Sequence, residues 1–168
     1  FYMKLRLYYL LVTILLTFNF AEAKESQNYL SFSLGQFDIN DSYDSTEYRI
    51  EYLSGNISSI TPPNLSLKPF YGIMINGDDG KYIYSGLRKD INISDNIYIT
   101  PSFALGYYDQ ENSKDLGYDL EFRSQLEFAY QFKNMNRVAL SINHISNASL
   151  GEQNPGVESM VISFIRVF

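Results

Sequence analysis

Between residues 116 and 132 the chain reads LGYDLEFRSQLEFAYQF, and no other stretch constrains the fold as strongly. Tyr118, Leu120, Phe122, Leu126, Phe128, Tyr130 and Phe132 occupy alternate positions, with only Ser124 breaking the series. Asp119, Glu121, Arg123, Gln125, Glu127 and Gln131 fill the positions between them. In a strand successive side chains point to opposite faces, so this segment is a long strand with one apolar face and one charged face. A helix would scatter both classes around its circumference.

The same alternation recurs. Residues 29–37 set Leu30, Phe32 and Leu34 against Ser31, Ser33 and Gly35, and residues 46–54 set Tyr48, Ile50 and Tyr52 against Glu47, Arg49 and Glu51. Residues 65–75, 97–108, 137–147 and 157–168 follow the pattern, while 82–89 leave their phase open. With 116–132 these make eight strands. The stretches between them, such as SGNISSITPPN, NGDDG and NASLGEQNPG, are rich in Gly, Pro, Asn, Asp and Ser, the residues of turns. Pro101 falls inside a strand, where it removes a ladder hydrogen bond and predicts a bulge or local irregularity.

Eight antiparallel strands close into a barrel, but alternation does not say which face is inside. A soluble barrel of the lipid-binding kind buries its apolar face in the lumen; a transmembrane barrel turns it outward. Three features favour the all-β, eight-stranded, up-and-down transmembrane β-barrel. The charged face carries both signs (Glu47, Arg49, Glu51, Asp119, Glu121, Arg123, Glu127), so a narrow lumen can pair them. The 15 tyrosines suffice for interfacial girdles. The chain also finishes in an alternating strand closing on Phe168, similar to the signal read by outer-membrane assembly machinery. Eight strands enclose a lumen filled by side chains rather than a pore. Both chain ends then lie on the periplasmic side, and the connections 38–45, 76–81, 109–117 and 147–156 face outward.

Residues 1–23 read as an export signal. Met3-Lys4-Leu5-Arg6 is the basic start, Leu7 to Phe20 the apolar run, and Ala21-Glu22-Ala23 an A-x-A cleavage site; Phe1 and Tyr2 read as an extension ahead of it. The barrel is expected over 24–168, in the bacterial outer membrane. The absence of cysteine excludes thiol chemistry, a single histidine argues against a histidine-rich metal site, and a net charge of −6 argues against a nucleic-acid partner.

That single histidine lies in INHISNASLGEQNPGVESMVISF. Val138, Leu140 and Ile142 mark the apolar face of its strand, and His144 and Ser146 continue the same even-numbered series. In the next strand Glu158 is in phase with Met160, Ile162 and Phe164. All three therefore project from the apolar side near its outer edge, where ionisable groups are disfavoured without a partner. A hairpin can set Glu158 beside His144, and the three types supply a nucleophile, a base and a group that orients the base. The plainer reading is an interfacial histidine among headgroups, with Glu158 paired to a cation such as Arg166 and Asn154-Pro155-Gly156 an ordinary turn.

The segment His144-Ile-Ser146-Asn147-Ala148, followed by Asn154-Pro155-Gly156-Val-Glu158-Ser159, resembles the catalytic segment of the outer-membrane lipid A 3-O-deacylases, the PagL family. The resemblance implies an esterase that removes the ester-linked 3-hydroxyacyl chain at position 3 of lipid A. It implies Ser146 as nucleophile, His144 as general base and Glu158 as its orienting acid, with no metal or other cofactor. It also implies Asn154 in the oxyanion hole, Asn147 as a neighbouring functional amide, and a backbone N–H at position 149. The family has Gly there and this chain has Ser149, whose backbone is less free to adopt a positive φ. Lipid A would reach the site by lateral diffusion along the barrel wall. The rivals are a non-enzymatic structural or adhesive outer-membrane barrel and a soluble periplasmic lipid-binding barrel.

Overall fold

The structure is a computed structural model that describes residues 27–41 and 43–168; the export signal expected at 1–23 lies outside the described residues. The strands are β1 (Tyr29–Phe37), β2 (Ser45–Leu53), β3 (Lys68–Asn76), β4 (Lys81–Arg88), β5 (Ile91–Ser94), β6 (Ile97–Asp109), β7 (Leu120–Gln131), β8 (Arg137–Ser146) and β9 (Val157–Val167). They form one antiparallel meander, closed by β1 pairing with β9 and β4 with β6.

The barrel has eight staves, because β4 and β5 make a single one. Their register along β6 is continuous, from Arg88↔Ser102 to Ile91↔Ile99. The interruption lies opposite Pro101: the Lys89 N–H donates to the Pro101 carbonyl at 3.1 Å, and proline has no N–H to return the bond. The irregularity expected at Pro101 is therefore in its partner strand, and a register shift follows at Asn92/Ser94. Part of KDINISDN, expected as a connection, is the continuation of this stave.

The faces resolve as the membrane reading predicts. Phe32, Leu34, Tyr48, Ile50, Ile73, Phe103, Leu126, Phe128, Leu140, Ile162 and Phe164 all point outward and are exposed, Ile162 to 62%. A continuous apolar belt of this size is not stable against water, and bilayer hydrocarbon is the solvent that suits it. The lumen holds Glu47, Arg49, Glu51, Arg88, Arg123, Glu127 and Arg137, all buried. A soluble lipid-binding barrel would have the two sets exchanged. The stave whose phase was open, β4, points Tyr82 and Tyr84 inward and Ile83 out.

Most of the interior arginines are paired, while the buried Glu121 carboxyl has no hydrogen-bond partner among the described residues. Arg123 donates to Glu51 at 2.8 Å and to the Tyr84 hydroxyl at 2.9 Å, and its guanidinium lies 4.2 Å from the Tyr84 ring centroid. Arg137 stacks on Tyr98 at 4.2 Å and on Tyr29 at 4.7 Å. Arg49 pairs with Glu47, and Arg88 with Asp90. Such pairs add little net stability over an apolar filling, but removing one partner strands a buried charge. They also fill the lumen, so the barrel is not a channel.

Two elements differ from the sequence expectation. Strand β7 starts at Leu120, so Leu116 to Asp119 belong to the preceding loop, and Leu116 is buried. The segment 63–65 is a 3₁₀ turn, so β3 starts only at Lys68. At the outer mouth the buried Lys114 donates to Asp38 at 3.0 Å and to Asp41 at 3.1 Å, tying the β6–β7 loop to the β1–β2 loop.

Candidate active site

Strand register builds the site. His144 on β8 lies directly across from Glu158 on β9 and, on its other side, from Ser124 on β7. Ser146 is two residues further along β8, on the same outward face and across from Phe122. The three residues expected to act together therefore do share one patch of the outer wall.

The contact that organises the patch is a hydrogen bond between His144 Nδ1 and Glu158 Oε1, at 2.9 Å. The His144 side chain is 47% exposed and that of Glu158 38%, so both face the lipid rather than the lumen. With the carboxylate accepting at Nδ1, the Nε2 nitrogen carries the lone pair, which is the form a general base needs. Ser146 is half-buried, and its hydroxyl has no hydrogen-bond partner among the described residues. The pairing of Glu158 with Arg166 does not occur: Arg166 lies across from Leu30, far down β9.

Gly156 fixes the imidazole from beneath. A Cβ placed on this glycine would lie 2.8 Å from His144 Cε1 and 3.4 Å from Nε2. Its φ of +66° is also one that residues with side chains rarely adopt. The glycine of Asn-Pro-Gly, read from sequence as turn chemistry, thus forms the surface on which the ring rests. Nothing in the linear sequence marks that contact, because it depends on the curl of the 147–156 loop.

The same loop accounts for the remaining expected residues. Asn147 is fully buried and its side-chain N–H groups donate to the Leu116 and Gln153 carbonyls, both at 2.7 Å. Its Oδ1 accepts from the Ser149 N–H at 2.9 Å, and its own N–H donates to Asn154 Oδ1 at 3.1 Å. As the loop stands, Asn147 and the Ser149 N–H have their donors engaged within the protein. Asn154 is exposed, and its Oδ1 accepts from the Asn147 N–H. Ser149 adopts a left-handed backbone conformation, with φ +67°, after Ala148 at +53°. Glu152 is an exposed loop charge.

Asn147 also joins two loops. Through Leu116 it grips the β6–β7 loop, and there the backbones meet without side chains between them. A Cβ on Gly117 would lie 2.3 Å from the Gln153 carbonyl, and one on Gly151 2.3 Å from the Gly117 carbonyl.

The model of the lipid A 3-O-deacylase (PagL) family matches residues 84–165. Among solved structures, the crystal structure of the outer membrane enzyme PagL superposes with a TM-score of 0.62 at 16% identity, over 82% of this chain and 97% of that one. A de novo designed transmembrane β-barrel superposes with a TM-score of 0.59 at 11% identity, over 88% of this chain and 100% of the design. No curated protein matches the chain. A fold shared with both an enzyme and a design says nothing about activity, which is a property of the site.

Proposed function

The chain belongs to the PagL family of lipid A 3-O-deacylases, whose model covers the strands and loop carrying His144, Ser146 and Glu158, and on that premise we propose that it cleaves the 3-O-linked hydroxyacyl chain of lipid A with these three side chains. It is an outer-membrane ester hydrolase. The observation that carries the proposal is the 2.9 Å bond between His144 Nδ1 and Glu158 Oε1 on the lipid-facing wall, with an unpartnered Ser146 hydroxyl on the same face.

In this mechanism Ser146 Oγ attacks the ester carbonyl while His144 Nε2 takes its proton. Glu158 holds the imidazole tautomer and stabilises the imidazolium, which makes the cation tolerable at the edge of the bilayer. The tetrahedral oxyanion accepts a hydrogen bond from Asn154 Nδ2. The imidazolium returns the proton to the departing sugar oxygen, leaving the acyl chain on Ser146. Water, deprotonated by the same imidazole, then releases the hydroxy fatty acid and restores the serine. The substrate never enters the barrel: its acyl chains stay in the bilayer, against the apolar belt.

The test is incubation of the purified protein in detergent with lipopolysaccharide, followed by mass spectrometry of the lipid. Loss of one 3-hydroxyacyl chain is expected, and Ser146→Ala and His144→Ala each abolish it. Full activity in both variants would overturn the assignment.

A further inference from the structure

The outer rim holds a second feature beside the catalytic hairpin. A cavity of about 450 Å³ opens between β6, β7 and the β6–β7 loop, lined by Tyr107, Asp115, Gly117, Tyr118, Asp119 and Leu120. Register fixes its place relative to the nucleophile. Ser146, Phe122 and Leu105 form one rung across the outer wall; Leu120 and Tyr107 form the next outward-facing rung above it. Two residues along a strand advance about 6.7 Å and one strand to the next is about 4.8 Å. The cavity floor thus lies about 8 Å from Ser146 at Leu120 and about 12 Å at Tyr107, the span of one to two sugar rings. The backbone contact of Gly117 with Gln153 makes its wall continuous with the catalytic loop.

The lining is suited to neutral, hydroxyl-rich rings. Tyr107 and Tyr118 are 54% and 50% exposed, offering aromatic faces to the C–H side of a pyranose. Asp115 uses one carboxylate oxygen on the Gly117 N–H at 2.7 Å, leaving the other for a ligand, and the Asp119 carbonyl is held by the Tyr108 N–H at 2.8 Å. Carboxylates accept strong hydrogen bonds from hydroxyl and amide N–H groups and repel phosphate. The two lysines of the outer rim are already engaged, Lys81 with Glu111 and Lys114 with Asp38 and Asp41. Among the described residues, this rim offers no unengaged lysine with which to grip a phosphate.

We propose that this cavity, lined by Tyr107, Tyr118, Asp115 and Asp119, is the subsite for an amino-sugar ring of the acylated substrate, holding it by hydroxyl and amide groups while the ester lies at Ser146. The proposal rests on the deacylase reading above. It explains how the enzyme selects one ester among the many in a membrane: the sugar is fixed first, and its geometry presents the oxygen.

The test compares two substrates on the full barrel in detergent: lipopolysaccharide, and a sugar-free p-nitrophenyl ester of a 3-hydroxy fatty acid. Asp119→Asn and Tyr118→Ala are expected to lower the ratio of kcat/KM between glycolipid and ester by about tenfold, chiefly through KM, the loss of one charge-assisted contact. Asp119→Asn preserves shape, and its folding is checked by heat-modifiable migration. An unchanged ratio in both variants overturns the subsite alone. A wild-type protein that cleaves the ester but not the glycolipid overturns the deacylase reading and the subsite with it.

Discussion

Replacing Gly156 by alanine tests whether the imidazole depends on its seat. The added Cβ would stand 2.8 Å from His144 Cε1, whereas carbon atoms in good contact are about 3.5–4.0 Å apart, so the ring must retreat by roughly 0.7–1 Å. The bond from Nδ1 to Glu158 starts at 2.9 Å, and a retreat of that size takes it to about 3.6 Å, beyond hydrogen-bonding range. A misplacement of about 1 Å at a reacting group costs on the order of 10²-fold in rate, or about 2.7 kcal/mol in the barrier. The left-handed backbone adds about 1 kcal/mol of strain, small enough for the barrel to remain folded. The assay is kcat on lipopolysaccharide, with folding followed separately by heat-modifiable migration. Because His144 is the only histidine, imidazole NMR in micelles gives one ring to watch, and its Nδ1 proton should lose the low-field position that a carboxylate partner confers. A control is Gly77→Ala in the β3–β4 loop, where a Cβ meets nothing closer than 3.4 Å; its rate is expected to match wild type. Wild-type kcat in Gly156→Ala, with the ring proton unmoved, would refute the reasoning.

Other consequences are as direct. Asn147→Ala removes three internal hydrogen bonds of its side chain, and the released 147–156 loop should lower kcat at least tenfold while the barrel stays folded, with faster amide exchange at 115–117 read by mass spectrometry. Ser149→Gly relieves a side chain held at φ +67° and should raise stability by up to about 1 kcal/mol in urea unfolding, without loss of activity. Arg123→Ala strands the buried Glu51 carboxylate and should destabilise the barrel by about 3–5 kcal/mol in the same assay. Burial pulls the Lys114 ammonium down, but its bonds to Asp38 and Asp41 outweigh that and hold its pKa above the ordinary 10.5. A raised folded value means that its contribution is complete below pH 10.5 and is lost as the pH climbs through the folded pKa. Exchange in the β6–β7 loop should therefore stay flat through neutral pH and rise only in strong alkali.

The staves were legible because burial in a barrel follows a period of two, and no tertiary detail is needed to read it. The orientation was legible for a related reason: Glu47, Arg49 and Glu51 on one strand and Glu121, Arg123 and Glu127 on another make sense only where they can meet, and in the structure Arg123 does reach Glu51 across the lumen. What escaped the sequence lies where alternation stops. Leu116 continues the outward series of β7 in sequence yet is buried in the mouth, because the chain leaves the strand before reaching it. Lys114 lies in a loop outside any alternation, and only the approach of the β1–β2 loop shows it to be a tie between loops. At the site, phase puts His144 and Glu158 on one face, while the register that sets them directly opposite is fixed by the hairpin and its loop. The engaged state of Asn147 and the seat at Gly156 depend on loop backbone, which no periodicity encodes.

The barrel separates two electrostatic problems that most enzymes must solve in one place. Its fixed charges are inside, where Arg123, Arg137 and Arg49 have carboxylate or aromatic partners, and their number is set by the need to fill and neutralise a lumen. The His144–Glu158 pair is outside, where a free carboxylate or imidazolium would be expelled by the lipid. Pairing His144 with Glu158 across two adjacent strands meets that cost without borrowing any lumenal group, because the register of β8 and β9 already brings the two side chains together. Strand placement also makes the geometry stiff, since neither residue can shift without breaking ladder bonds. The 147–156 loop carries Asn154 and Gly156 outside the strand ladder and is braced through Asn147 by the β6–β7 loop. Activity should therefore respond far more steeply to changes in these two loops than to changes of equal stability cost in the lumen.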